Sequence, residues 1–118
     1  MPETPPPPAP VLLFPNDGLG YAEPALRHKL LRLYLGLLCE GSLLPAALCF
    51  YTEGVRLVVE GSPVLDLLEQ LESRGVPLIS CQTCLHHFGL TDQVRAGVVG
   101  GMHDILEAQF RASKVITL

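Results

Sequence analysis

The sequence predicts an α/β domain in which a parallel sheet carries helices on both faces. Three observations predict it. Short runs that are apolar at every position recur along the chain, as in strands covered on both sides; alternation would mark a half-exposed strand. Segments with helical periodicity separate these runs, the order that builds parallel sheets through crossover connections. The 118 residues are 48% hydrophobic with a mean hydropathy of +0.35, enough for one compact core and too few for two.

The elements follow in order. Residues 1–10 hold six of the eleven prolines and read as a disordered, extended tail, leaving a domain over 11–118. Val11-Leu12-Leu13-Phe14 is the first strand, and Asn16-Asp17-Gly18-Leu19-Gly20 the loop after it. A helix is expected from about residue 23 to 40, with Leu26, Leu30, Leu33 and Leu37 on its apolar face and Gly41 beyond its end. Leu31 and Leu35 extend that stripe around the helix. This is more apolar surface than one sheet face needs, so a homo-oligomer is expected. Residues 46–51 form a second strand, 52–54 a turn and 55–59 a short extended piece. Ser62 caps the next helix with Pro63 at its first position, Val64, Leu67, Leu68 and Leu71 line its apolar face, and Gly75 ends it. Residues 76–80 are a third strand, 85–88 a short helical turn and 95–99 a fourth strand. Met102, Ile105, Leu106 and Phe110 mark a last amphipathic helix, and 114–118 a last strand.

Several function classes drop out. A net charge of -4 disfavours nucleic acid, and Arg27, His28, Lys29 and Arg32 read as the solvated side of a helix. No apolar run reaches the ~18 residues a membrane span needs. The N-terminus lacks the basic start, apolar stretch and small-residue site of a secretory leader, so a cytoplasmic location is expected. Asp17-Gly18-Leu19-Gly20 lacks the third glycine of a dinucleotide fingerprint and the Gly-Lys-Ser/Thr ending of a phosphate-binding loop.

The chemistry sits in Ile79-Ser80-Cys81-Gln82-Thr83-Cys84-Leu85-His86-His87, where a thiol pair follows a strand. A helix turn starting there would favour thiolate through its free amides and dipole, and the thiolate is the form that attacks, accepts sulfur or binds metal. Ligands of parallel sheets gather beyond the carboxyl ends of the strands. The loops at 16–20, 52–54 and 81–84 would share that rim. Four readings compete: a persulfide carrier, a dithiol/disulfide couple, a zinc site and inert fill. Zinc is disfavoured because a structural site takes four ligands and no second Cys-x-x-Cys exists. Neither a metal nor a cofactor is expected. Cys39 and Cys49 read as buried apolar side chains, and His86 and His87 as surface groups.

Phe50-Tyr51-Thr52-Glu53-Gly54-Val55-Arg56-Leu57, then Glu60-Gly61-Ser62, then Leu78-Ile79-Ser80-Cys81-Gln82-Thr83-Cys84-Leu85 resemble the DsrE/DsrF-like family. The likeness is greatest to the DsrE-like domain of YedF-type sulfurtransferase-like selenium metabolism proteins, and covers about residues 11–118. The resemblance implies a flavodoxin-like three-layer α/β sandwich with a mostly parallel sheet of about five strands, and homo- or hetero-oligomers. It implies sulfur carried as a cysteine persulfide, with the reactive cysteine matching Cys81. Gln82 stands where the family usually has glycine, and Thr52-Glu53-Gly54-Val55 where Asn-Ser-Gly-Val is usual. The missing glycine raises the question of whether the loop turns in the same way.

The expected function is an intracellular sulfur carrier or sulfurtransferase-like protein, working without a cofactor and meeting a donor or acceptor protein. Selenium is the alternative cargo that the family label suggests. Cys81 takes the sulfur and Cys84 resolves it. Thr83 steadies anionic sulfur, and Asn16 and Gly18 complete the substrate-facing rim. The alternative from another class is a non-catalytic oligomeric binding or scaffold module whose cysteines are incidental.

Overall fold

Residues 11–14 and 47–50 carry no charged or hydroxyl side chain, so water-facing positions would cost them most of their burial energy. They become the middle of the sheet. The computed structural model describes residues 9–118; the rest of the proline-rich tail expected over 1–10 lies outside the described residues. All four residues of β1 (Val11–Phe14) and all four of β2 (Ala47–Phe50) are buried. They pair in parallel, Val11 beside Ala47 and Phe14 beside Phe50. The Phe14 and Phe50 rings stack with centroids 4.7 Å apart.

Strands β3 (Leu78–Cys81), β4 (Val98–Gly100) and β5 (Val115–Thr117) complete a five-stranded, all-parallel sheet in the order β4-β3-β2-β1-β5. Helices α1 (Pro24–Glu40), α2 (Leu65–Ser73), α3 (Gln82–His87) and α4 (Met102–Arg111) fill the connections. The chain steps outward from β1 to β4 and then returns past β1 to β5. Right-handed crossovers put helices of opposite stepping direction on opposite faces. Hence α1 and α2 share one face and α4 covers the other, giving the expected three-layer α/β fold.

Several local expectations change. Residues 55–59 are not extended: Thr52–Leu57 is a 3-10 segment, and only Val59 bridges another strand-like residue, Val94. Helix α2 starts at Leu65 rather than at Pro63, and Ser62 Oγ instead accepts the N–H of Val64 at 3.2 Å.

The largest change concerns α1. Its buried leucines are Leu31 and Leu35, whereas Leu26, Leu30, Leu33 and Leu37 face outward, with Leu37 70% exposed. Arg32 explains part of the choice. It forks onto Asp66 of α2 at 3.0 and 3.1 Å and onto the Pro63 carbonyl at 2.6 Å, which turns the Leu31/Leu35 face inward. Arg74 adds a second tie by donating to the Cys39 and Gly41 carbonyls at the end of α1. Among the described residues, no helix is long and apolar enough to cross a membrane.

Candidate functional site: a thiol pair at the strand ends

Strand β3 delivers the site. Cys81 is its last residue and the residue that caps α3; it is only 1% exposed. Cys84 lies in the first turn of α3 and is partly buried. Gln82 occupies the first helical position with an ordinary negative φ, so the glycine usual there is dispensable for this turn. The two thiols lie close together at the junction of β3 and α3, Cys81 on one side of it and Cys84 on the other.

The loop after β2 closes over them. Thr52 donates its backbone N–H to Cys84 Sγ at 3.1 Å. The Thr52 hydroxyl lies 2.6 Å from the Pro15 carbonyl and 2.7 Å from that of Tyr51, so the loops after β1, β2 and β3 converge as expected. Gly54 sits so close to Phe14 that a Cβ would overlap the Phe14 carbonyl oxygen. Its glycine therefore serves a close approach, not a left-handed turn. Further out, Arg56 pairs with Glu53 at 2.6 Å and stacks 4.4 Å over the Phe88 ring, which joins the 3-10 segment to the end of α3.

Electrostatics do not give a resting thiolate. Burial raises the Cys84 thiol above its ordinary value, and the Cys81 thiol raises it further; the Thr52 N–H opposes both. The expected gain from the helix start is thus outweighed by desolvation. Cys49, fully buried, is pushed up to about 11 by burial alone. The Cys39 thiol is also raised, mainly by burial, and its Sγ lies 3.5 Å from the Leu67 carbonyl.

A family model, the DsrE/DsrF-like family, matches residues 20–118. The chain belongs to the DsrE/DsrF-like family. Solved structures share the fold of this DsrE/DsrF-like chain. The ychN protein from E. coli superposes with a TM-score of 0.69 at 23% identity, covering 93% of this chain and 99% of the other. A protein of unknown function, MTH1491 from Methanobacterium thermoautotrophicum, gives 0.66 at 19% identity, covering 93% and 99%. BT1422 from Bacteroides thetaiotaomicron, likewise a conserved protein of unknown function, gives 0.63 at 14%, covering 92% and 93%. No match to a curated protein reaches significance.

The remaining candidate residues of this DsrE/DsrF-like chain lie on α3 and in the loop after β1. Thr83 is exposed on α3. Asn16 and Gly18 line a cavity of about 290 Å³ with Pro15, Tyr21 and Leu118, and neither cysteine of the pair borders it. Gly18 is packed under α1, where a Cβ would come within 2.6 Å of Arg27 Cβ. His86 and His87 are exposed. A cavity of about 400 Å³ under α4 opens beside Ala46 and Pro77, at the amino ends of the strands and away from the thiols. Among the described residues, no three of His, Cys, Asp or Glu stand together as metal ligands.

Thr52 is the residue that sequence reasoning missed. Its φ of +49° makes it the left-handed non-glycine residue among those described. No composition or spacing signal announces such a conformation in a β-branched residue.

Proposed function

We propose that this chain carries sulfane sulfur on the Cys81/Cys84 pair and passes it between protein thiols. The observation that carries this reading is the juxtaposition of two neighbouring free thiols at the carboxyl end of a parallel strand, one of them accepting a main-chain N–H. Membership of the DsrE/DsrF-like family supports it, since such domains are associated with sulfur relay. Placement in the YedF-type branch belongs to the same proposal and rests on Cys81-Gln82-Thr83-Cys84; selenium as an alternative cargo rests on that branch's label alone.

Burial supports one order of events. Cys81 is shielded and Cys84 reaches the surface in part, which supports Cys84 as the receiving thiol and Cys81 as the resolving one. This reading exchanges the roles that the resemblance implies, with Cys81 as carrier and Cys84 as resolving thiol, and the experiment below decides between the two orders. The Cys84 thiolate attacks the outer sulfur of a donor persulfide, R–S–SH. The Cys84–sulfur bond forms, the donor S–S bond breaks, and the donor departs as its thiolate, leaving Cys84–S–SH. An acceptor thiolate removes that outer sulfur by the same displacement. Where no acceptor is present, the Cys81 thiolate attacks Cys84 Sγ, forming the Cys81–Cys84 disulfide and releasing hydrosulfide; an external thiol then resets the pair. Thr83 and Asn16 serve in this reading as the rim that a donor or acceptor protein meets, and Gly18, packed under α1, sets the path of the loop that carries Asn16. A cytoplasmic location accompanies the proposal, because a working dithiol needs a reducing compartment.

Intact-mass spectrometry after exposure to a persulfide donor tests the reading. One added sulfur on Cys81→Ser and none on Cys84→Ser are expected, while the wild type, with no acceptor present, ends as the Cys81–Cys84 disulfide. Loading that follows Cys81 instead would restore the order implied by the resemblance. Absence of any adduct would leave the oligomeric binding module with incidental cysteines.

A further inference from the structure

Thr52 is a β-branched residue in the left-handed region, at φ +49°. That conformation suits glycine or asparagine and strains threonine. Such strain persists only where surrounding contacts over-determine it. Here the contact is the side-chain hydroxyl, 2.6 Å from the Pro15 carbonyl, reaching across to the loop after β1. The result of the strained conformation is an N–H that points away from the sheet ladder and meets Cys84 Sγ at 3.1 Å.

We propose that Thr52 is a positioning residue: its hydroxyl, anchored on Pro15, holds the backbone in the conformation that aims its N–H at the Cys84 sulfur. A donor fixed on sulfur stabilises the anion more than the thiol. The Thr52 N–H accordingly lowers the Cys84 thiol, against burial and against Cys81. The other charged groups of the surrounding loops are neutralised among themselves. Glu53 pairs with Arg56 on the 3-10 segment, and Asp17 pairs with Arg27 beyond β1. On α3 itself, His86 and His87 are exposed to solvent, His87 one turn beyond Cys84. The Thr52 amide is therefore the main local support for a Cys84 thiolate, and also for a persulfide anion formed there. The inference concerns the ionisation of Cys84 and stands whether or not sulfur is the cargo.

The test is the pH dependence of Cys84 alkylation by iodoacetamide, followed by peptide mass in the full 118-residue chain. A Cys81→Ala background leaves a single thiol titrating in the loop. Thr52→Val keeps the side-chain shape and deletes the anchor. Alkylation at neutral pH should slow roughly tenfold, with the profile displaced to higher pH. Thr52→Ser keeps the hydroxyl and should restore the wild-type profile. If Thr52→Val does not fold, Thr52→Ala deletes the anchor with less strain and should move the profile in the same direction. A wild-type profile in the folded hydroxyl-deleted variants, or a displacement in Thr52→Ser as large as theirs, would overturn the proposal. A purely structural role for Thr52 would change the melting temperature and leave the pH profile in place.

Discussion

The α-carbon of Gly54 packs directly against the carbonyl of Phe14, with no room for a side chain between them. Phe14 ends β1 and Gly54 lies in the 3-10 segment that carries Thr52, so this contact sets how closely the second loop approaches the first. Gly54→Ala must push the segment away from backbone that cannot yield. The expected cost is about 1–3 kcal/mol of stability. The same movement should withdraw the Thr52 N–H from Cys84. Thermal unfolding reads the first effect and the alkylation rate of Cys84 the second. An alanine variant with wild-type values of both would contradict the contact.

Cys81 and Cys84 should form a disulfide under mild oxidation. They are neighbours across the junction of β3 and α3, and both are free. Diamide treatment should consume these two thiols while Cys39 and Cys49 still react with iodoacetamide after unfolding. A bridge between different chains, or one that includes Cys39, would exclude the resolving step proposed for Cys81.

The sheet was legible because its central strands are apolar at every position, which leaves only burial on both faces. The thiol pair was legible because strand and Cys-x-x-Cys are adjacent in sequence. What the sequence hid is different in kind. On α1, Leu26, Leu30, Leu33 and Leu37 make one helical stripe, and Leu31 and Leu35 make another. Periodicity alone does not say which faces the sheet. Part of the decision comes from contacts distant in sequence, Arg32 on Asp66 and Arg74 on the end of α1, which no local pattern records. Thr52 was hidden because its role lies in a backbone angle and in a carbonyl supplied by Pro15, neither of which leaves a pattern. Gly54 was read as a turn residue, since a close approach and a turn call for the same side chain.

Cys49 predicts a loss of stability in alkali. Its thiol is raised from 9.0 to about 11 by burial in β2. The protonated form is favoured by folding, so the contribution is complete below the unfolded value near 9 and disappears as pH rises through about 11. Two pH units correspond to about 3 kcal/mol. Denaturant unfolding between neutral pH and pH 11 should show this decline. Cys49→Ala, although less stable at neutral pH through its smaller side chain, should show a flatter profile. A variant with the same slope as the wild type would place the alkaline titration elsewhere.

The outward leucines of α1 predict self-association. Leu26, Leu30, Leu33 and Leu37 are spaced four, three and four apart, the alternation of a helix-pairing seam. They are 42%, 38%, 56% and 70% exposed, so the seam is free along its whole length in a single chain. Leu31 and Leu35, both fully buried, already satisfy the sheet. The two sets of leucines should therefore respond differently. Leu35→Ala opens a cavity in the core and should cost about 2–5 kcal/mol. The double variant Leu33→Glu, Leu37→Glu touches no core contact. It should keep the melting temperature of the separated subunit and abolish association. Light scattering at micromolar concentration should find the wild type as a homo-oligomer and the double variant as a single 12.8 kDa species. A wild type that remains at that mass on concentration would refute the interface. A double variant that unfolds outright would show instead that these leucines serve the fold.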